Sequence, residues 1–385
     1  MNSENFHSNL PNKENYLLQG LRKTRNPRIL VAPLDWGLGH ATRCIPVIYE
    51  LISQNCDIWL AAEGNQAAIL KQEFPTLPIL PLPGYRVNYG GSAVTTLLNI
   101  IGQSARILRA IRHEHKWLKK IVNEYDFDAV LSDNRYGLYH SKIPCIFMTH
   151  QLTIKTPFGR WVEGGLQKRN YKYIDRFTEC WVPDEEGENN LAGELSHPVR
   201  KPVIPVHYVS CLSRLTRVDE EVQKNHLLIL LSGPEPQRTI LENKIIDDIA
   251  RFDGSATIAR GLPDTKNLIP STNTIKFYNH LGTDELSREM NMADLVVSRS
   301  GYSSVMDIVK LKKKSILIPT PGQTEQEYLA DHLQERKIAF TISQRSFSLF
   351  PALEQAGTFD YSFPFTYNPG SLKEIVSRFV SMLRQ

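Results

Sequence analysis

The chain reads as an α/β protein of two Rossmann-like, doubly wound domains that face each other across a cleft. Three observations predict this class. Strand-length apolar runs alternate with helix-length amphipathic runs twice over, from Arg28 and again from Leu227. Residues 196–209, between the two series, carry prolines and no helical period, as a connection between domains does. And 385 residues, 41% of them hydrophobic, hold more core than one ordinary domain contains. The expected division is a polar tail over 1–26, an N-terminal domain over 27–200, a C-terminal domain over 201–370, and a last helix over 371–385 that returns to the N-terminal domain.

In the first domain, a strand at 29–33 leads through a glycine-bearing turn at 35–39 into a helix whose apolar face is Ile45, Val47, Ile48, Leu51 and Ile52. A strand at 57–62, a helix at 65–72, an apolar run at 79–82 and a long amphipathic helix at 94–122 follow, then strands at 129–132 and 145–149. In the second, strands are expected at 227–231, 256–259, 275–278, 295–298 and 315–318, with helices at 239–251, 283–292, 303–310 and 326–336. Such alternation makes a parallel sheet with right-handed crossovers. Residues 346–369 are aromatic and proline-rich without a period, and a helix at 371–383 closes the chain.

Cys44, Cys56, Cys145, Cys180 and Cys211 are dispersed, with no CxxC pair and no Cys/His cluster at zinc spacing, which suits reduced thiols in a cytosolic protein. The first 26 residues lack the apolar run of a secretory signal, and nowhere do 18 apolar residues run uninterrupted. A net charge of +4 without a reading module argues against a nucleic-acid partner. The expected place is the cytoplasm.

Gly37 and Gly39 lie between the first strand and first helix, where a missing Cβ lets a ligand or another backbone approach the helix N-terminus. A glycine pair after a strand is more often only a tight turn. With Thr42 and Arg43 following, the pair also fails the dinucleotide fingerprint, which demotes a dehydrogenase. His40 is either a neighbour of the helix cap that bonds locally or a base at the crevice edge. The C-terminal half is more informative. Ser300 and Gly301 end a strand while Ser303 and Ser304 open a helix, so unpaired N–H groups and a positive dipole end await a diphosphate. Plain N-capping explains two serines there, but not the repetition at the next strand end. Asp307, one turn in, suits a ribose diol; Glu325 and Gln326 open the following helix and suit sugar hydroxyls.

These residues carry a resemblance. The segment 293–328 is similar to the donor-binding motif of the GT-B glycosyltransferases, most closely the family of the peptidoglycan lipid-intermediate GlcNAc transferase. Element order matches over most of the chain, with residue-level likeness at 37–43 and 227–328. The resemblance implies that the loop from Ser300 through Gly301, Tyr302 and Ser303 to Ser304 binds the diphosphate, Asp307 the ribose, and Gln326 with Glu327 the sugar. It places the base near Phe277, Tyr278, Asn279 and His280, which also read as core and turn residues, and further phosphate contacts at Ser232, Gly233 and Arg238. Arg238 equally reads as an exposed arginine on a solvated helix. Asp307 and Glu327 stand where the relatives carry Glu and Gln.

The implied activity is a hexosyltransferase that moves a sugar from a nucleoside-diphosphate sugar, UDP-linked by family likeness, to a hydroxyl acceptor with inversion and no metal cofactor. Asp247 and Asp248 fall within a helix and make no metal motif. His40 is the first candidate for the general base and Asp133 the second. Gly37, Gly39, Arg43, Asn134, Arg135, Tyr136 and His150 complete the acceptor side. The helix over 104–120 is basic and amphipathic; with Phe158, Arg160, Trp161, Lys168 and Arg169 it suits an anionic membrane face and a lipid-linked acceptor, though a helix that covers the sheet has the same pattern. A nucleotide-sugar epimerase of the same fold and a non-catalytic nucleotide-sugar binder are the rival readings.

Overall fold

The computed structural model describes residues 25–86, 93–365 and 367–385, so the expected polar tail lies almost wholly outside the described residues. The first half is a parallel sheet of β1 (Arg28–Pro33), β2 (Asp57–Ala62), β3 (Ile79–Pro81), β4 (Ala129–Asp133), β5 (Cys145–Met148), β6 (Glu179–Val182) and β7 (Val206–Tyr208), in the order β3-β2-β1-β4-β5-β6-β7. The second is a parallel sheet of β8 (His226–Leu230), β9 (Ser255–Ala259), β10 (Ile275–Tyr278), β11 (Leu295–Ser298), β12 (Ser315–Leu317) and β13 (Phe340–Thr341), in the order β10-β9-β8-β11-β12-β13. In each sheet the strand order reverses beside its first strand, between β1 and β4 and between β8 and β11. At such a switch point, adjacent crossovers leave for opposite faces and open a crevice at the carboxyl ends of the strands.

The helices are α1 (Leu38–Ser53), α2 (Gly64–Glu73), α3 (Ala93–Tyr125) and α4 (Arg160–Ile174) in the first half, then α5 (Gln237–Ile249), α6 (Thr283–Met292), α7 (Tyr302–Lys310), α8 (Thr324–Glu335), α9 (Leu349–Thr358) and α10 (Gly370–Leu383). α1 forms because Ala41, Cys44, Ile45, Val47, Ile48 and Leu51 repeat at helical spacing and bury one stripe. α10 crosses back and packs on α1, with Val376, Phe379 and Val380 buried, Phe379 edge-on to Trp181 at 5.7 Å, and Arg378 paired to Glu179 at 2.6 Å.

Two expectations need correction. The connection between halves is 209–225 rather than a boundary at 200, because β7 pairs with β6 and belongs to the first sheet; three residues are too few to show a strand period. And residues 346–369, expected without structure, contain α9, whose Pro351 sits in the first turn, where its missing N–H has no helical partner to lose. β6, β13 and α4 also went unread. In α3, Leu118, Ile121 and Val122 pack under the sheet while Arg106, Arg109, Arg112, Lys116, Lys119 and Lys120 face outward, so the apolar side of the basic helix is spent on the core. No described helix is long and apolar enough to cross a membrane.

Candidate active site

The two switch points face each other, and a cavity of about 800 Å³ lies between them. Its N-terminal wall comes from the loops after β1, β4 and β5; its C-terminal wall comes from the loops after β8, β9, β10 and β11 and the N-termini of α7 and α8. Helices α1 and α7 meet end to end here. Ser303 Oγ donates to the Gly39 carbonyl at 2.9 Å, and a Cβ on Gly39 would lie 2.7 Å from that oxygen, so the close approach requires glycine. Gly37 precedes α1 at φ 85°, a left-handed turn residue at the cavity wall.

On the N-terminal side Arg43 is the hub. It is 2% exposed, donates from Nε to both Asp133 oxygens at 3.0 Å, and donates from Nη1 to His150 Nδ1 at 2.9 Å. The acceptor role of Nδ1 puts the His150 proton on Nε2, which donates to Glu325 Oε1 at 2.7 Å across the cleft. His40 Nδ1 lies 2.9 Å from Asp133 Oδ2 and 2.9 Å from Arg43 Nη2. A carboxylate oxygen only accepts, so a proton on His40 Nδ1 makes that contact a hydrogen bond, while Arg43 Nη2 already has Asp133 Oδ1 to donate to. His40 Nε2 is then an unprotonated nitrogen, with no hydrogen bond among the described residues, on a side chain that lines the cavity.

The charges follow from these contacts. Burial lowers the His40 pKa below the ordinary imidazole value, against the pull of Asp133, so the ring is neutral at neutral pH. Burial raises the Asp133 carboxyl, but Arg43 and His40 outweigh it and hold it ionised below its usual range. Glu325 is likewise pushed up by burial and brought down further by His150 and Arg43.

On the C-terminal side Gly301, Ser303 and Ser304 line the cavity at the start of α7, together with Ser232 and Gly233. Asp307 also lines it and accepts a hydrogen bond from Ser213 Oγ; burial pushes its carboxyl up to about 6 despite Ser213, Arg214 and Lys310. Gln326 is oriented by its own turn: Oε1 accepts from Thr320 N at 2.9 Å and Nε2 donates to Gln323 Oε1 at 2.6 Å. His280 lines the cavity, as do Leu281, Leu286, Ala259 and Gly261; burial lowers its pKa, and its Nε2 is buried without a hydrogen-bond partner among the described residues.

Several expected contacts fall elsewhere. Asp133 is wholly buried behind Arg43 and His40 and does not face the cleft, so it orients the histidine rather than acting as a base. Arg135 is 1% exposed and pairs with buried Glu114 at 2.9 Å; its neighbours Asn134, at φ 57°, and Tyr136 line the cavity instead. Arg238 is buried between Glu235 and Glu242, neither exposed nor in the cavity wall. Phe277 packs in the core and Tyr278 is at the surface, away from the cavity. The Ser300 hydroxyl is spent on the Gln326 carbonyl at 2.8 Å. The Tyr302 ring stacks on His150 at 4.2 Å and its hydroxyl donates to the Pro183 carbonyl, which leaves its backbone for a ligand. Glu327 accepts from Gly322 N at 3.1 Å and lies outside the cavity wall, one helical step around from Gln326.

The sequence reading missed Arg214. It lies in the connection between halves, lines the cavity and has a buried Nε without a hydrogen-bond partner. Trp36, Arg86, Ile154, Lys155, Pro157 and Leu166 on the N-terminal wall were also missed. Among the described residues, no three His, Cys, Asp or Glu side chains gather into a candidate metal cage.

Residues 267–358 match the model of the glycosyltransferase family 28 C-terminal domain, the stretch that holds α7 and α8. The chain is 23% identical over 322 residues, 80% of it and 83% of the relative, to the UDP-N-acetylglucosamine–N-acetylmuramyl-(pentapeptide) pyrophosphoryl-undecaprenol N-acetylglucosamine transferase of Haemophilus ducreyi. It is 22% identical over 326 residues, 80% of it and 83% of the relative, to an uncharacterized glycosyltransferase of Methanosarcina acetivorans. Among solved structures, the glycotransferase of kitacinnamycin superposes with a TM-score of 0.58 at 14% identity over 94% of this chain and 95% of that one. The Streptomyces sp. SF2575 glycosyltransferase complexed with thymidine diphosphate superposes with a TM-score of 0.54 at 14% identity over 93% and 96%. The chain has the GT-B fold and is a glycosyltransferase that resembles the family of the peptidoglycan lipid-intermediate GlcNAc transferase.

Proposed function

We propose that the chain transfers a sugar from a UDP-linked donor to an acceptor hydroxyl in one inverting displacement that uses no metal ion. The observation that carries this is the junction of α1 and α7: it sets an unprotonated imidazole nitrogen and a helix N-terminus on two walls of one cavity. In the step, His40 Nε2 takes the acceptor proton, the oxygen bonds to the anomeric carbon, and the bond from that carbon to the diphosphate oxygen breaks. Asp133 stabilises the imidazolium that forms. Negative charge grows on the leaving diphosphate, where the α7 N-terminus and Arg214 receive it; preorganised charge of this kind is usually the largest catalytic contribution. Asp307 suits the ribose diol, and the recess of Leu281, Leu286 and His280 suits the base, with His280 Nε2 as a polar partner.

The N-terminal wall combines apolar Trp36, Ile154, Pro157 and Leu166 with the cations Arg86 and Lys155, which suits an acceptor with an anionic group beside an apolar chain. That favours the lipid-linked class named for the Haemophilus relative. Outside the cavity, Trp161 is 92% exposed and Phe158 50% exposed beside Arg160, Lys168 and Arg169, a surface for the anionic cytoplasmic face of a membrane.

Thermal denaturation with UDP, GDP, dTDP and their sugar conjugates, with and without EDTA, tests the donor half. A rise in Tm of a few degrees for UDP ligands that persists in EDTA supports the reading, since about 100-fold saturation stabilises by about 2.7 kcal/mol. A rise lost in EDTA removes metal independence. No rise with any nucleotide removes the donor site.

A further inference from the structure

We propose that Arg299 is a positioning residue for the donor: from behind the cavity wall it holds the carbonyl ends of two peptide units whose N–H ends serve the diphosphate and the sugar. The proposal rests on the reading that the cleft holds a nucleoside diphosphate.

Arg299 follows the last residue of β11 and leads into the loop that opens α7. It is wholly buried, and none of its hydrogen bonds goes to a carboxylate. Its donors go instead to backbone carbonyls of two connections: in the one from β8 into α5, Nε to Ser232 at 3.4 Å and Nη2 to Gln237 at 2.8 Å; in the one after β12, Nη1 to Ile318 at 3.3 Å and Pro319 at 3.4 Å. Burial pushes its pKa down to about 10, and the guanidinium stays charged at neutral pH. A buried cation without a counter-ion is costly, and here the carbonyl contacts must offset that cost.

The carbonyls it selects indicate the use. In a trans peptide the N–H projects opposite the carbonyl. With the Ser232 carbonyl on Arg299, the Gly233 N–H is turned to the other side, and Gly233 lines the cavity at φ 102°. A Cβ on Gly233 would lie 3.8 Å from Arg299 Nε, so little more than one peptide separates guanidinium from cavity. With the Pro319 carbonyl on Arg299, the Thr320 N–H points away and donates to Gln326 Oε1, which fixes the amide that faces the sugar position. A guanidinium at the carbonyl end polarises each peptide and strengthens the donor at its far end. The rigid fork ties two connections together, which a lysine ammonium does not.

Arg299→Met and Arg299→Lys, each first checked for native circular dichroism, are titrated with UDP and with uridine beside the wild-type chain. For Arg299→Met the expected result is UDP affinity lowered about tenfold or more and uridine affinity changed less than about twofold, the loss of one or two charge-assisted hydrogen bonds. Arg299→Lys, with charge but no fork, is expected to lose about threefold to fivefold on UDP alone. Equal losses for UDP and uridine overturn the proposal in favour of a plain structural staple, and so does unchanged UDP affinity. If Arg299→Met does not fold, Arg299→Lys decides by the same two criteria. A wild-type chain that binds no UDP overturns the donor reading itself, a different outcome from wild-type binding that survives the substitutions.

Discussion

At the scale of single residues, the sequence showed which side chains stand at the carboxyl ends of strands but not which way they turn. His40 was legible because a histidine beside a glycine turn in a strand–helix unit has few places to be. Asp133 was not, because burial is a tertiary property: the same strand-end aspartate serves as a base if it faces the cleft and as a support if Arg43 covers it. The support role has a consequence for pH. His40 faces Asp133, which raises its pKa, and Arg43 and His150, which lower it; burial is the largest influence and the net direction is down. On the proposed mechanism, the neutral imidazole that takes the proton is therefore present above the lowered pKa and lost as pH falls through it. The acid limb of kcat/KM for nucleotide release is expected below about pH 6.5, the ordinary imidazole value. His40→Ala is expected to cut kcat about 10²–10⁴-fold and to leave only the acid limb of Asp307, whose carboxyl is pushed up to about 6. A near-normal rate in a folded variant would reassign the base.

At the scale of elements, the loop that opens α7 was readable because a helix N-terminus is a local pattern: strand end, glycine, two serines, apolar spacing. Arg214, Ser213 and the carbonyl contacts of Arg299 were not, since they reach the site from a connection without period or from behind a loop. The junction of α1 and α7 allows a separate test. Gly39 lies within a helix, where alanine would ordinarily stabilise by up to about 1 kcal/mol. Here its Cβ would meet Ser303 Oγ at 2.7 Å and Ser303 Cβ at 3.1 Å. Rotation of Ser303 relieves the first contact at the loss of its bond to the Gly39 carbonyl; the second requires the two helix ends to move apart. Gly39→Ala is expected to keep Tm within about 3 °C of wild type, as propensity and crowding offset, and to lower kcat about 10–100-fold through misplacement of base and leaving group. Unchanged kcat would mean that the junction does not set the catalytic distance.

At the scale of the whole molecule, the two sheets were legible as two runs of alternation and the last helix was expected to return to the first half, whereas the contacts across the cleft were not legible. The halves are joined by more than the connection at 209–225. His150 bonds Glu325, Thr283 Oγ1 donates to Glu73 at 2.6 Å, Thr324 Oγ1 donates to the Lys155 carbonyl at 2.8 Å, and Tyr328 accepts from Glu194 N at 2.8 Å. These are polar contacts around the cleft, each worth about 1 kcal/mol. Apolar ties come from the packing of α1 on α7, where Tyr302, Val305 and Met306 join the core of the first half, and from α10. Its chain leaves the second half and buries Val376, Phe379 and Val380 on the first, against α1 and Trp181. At about 1.5–3 kcal/mol for each large apolar side chain, the three side chains together outweigh any one of the polar contacts. Removal of residues 370–385 leaves both sheets complete but exposes α1 and the rim of the first half. Scanning calorimetry is expected to show the single transition of the intact chain divide into two, with the first half melting about 10 °C or more below the second. If the shortened chain still melts in one transition, the α1–α7 packing and the polar contacts across the cleft, rather than the returning helix, unite the halves.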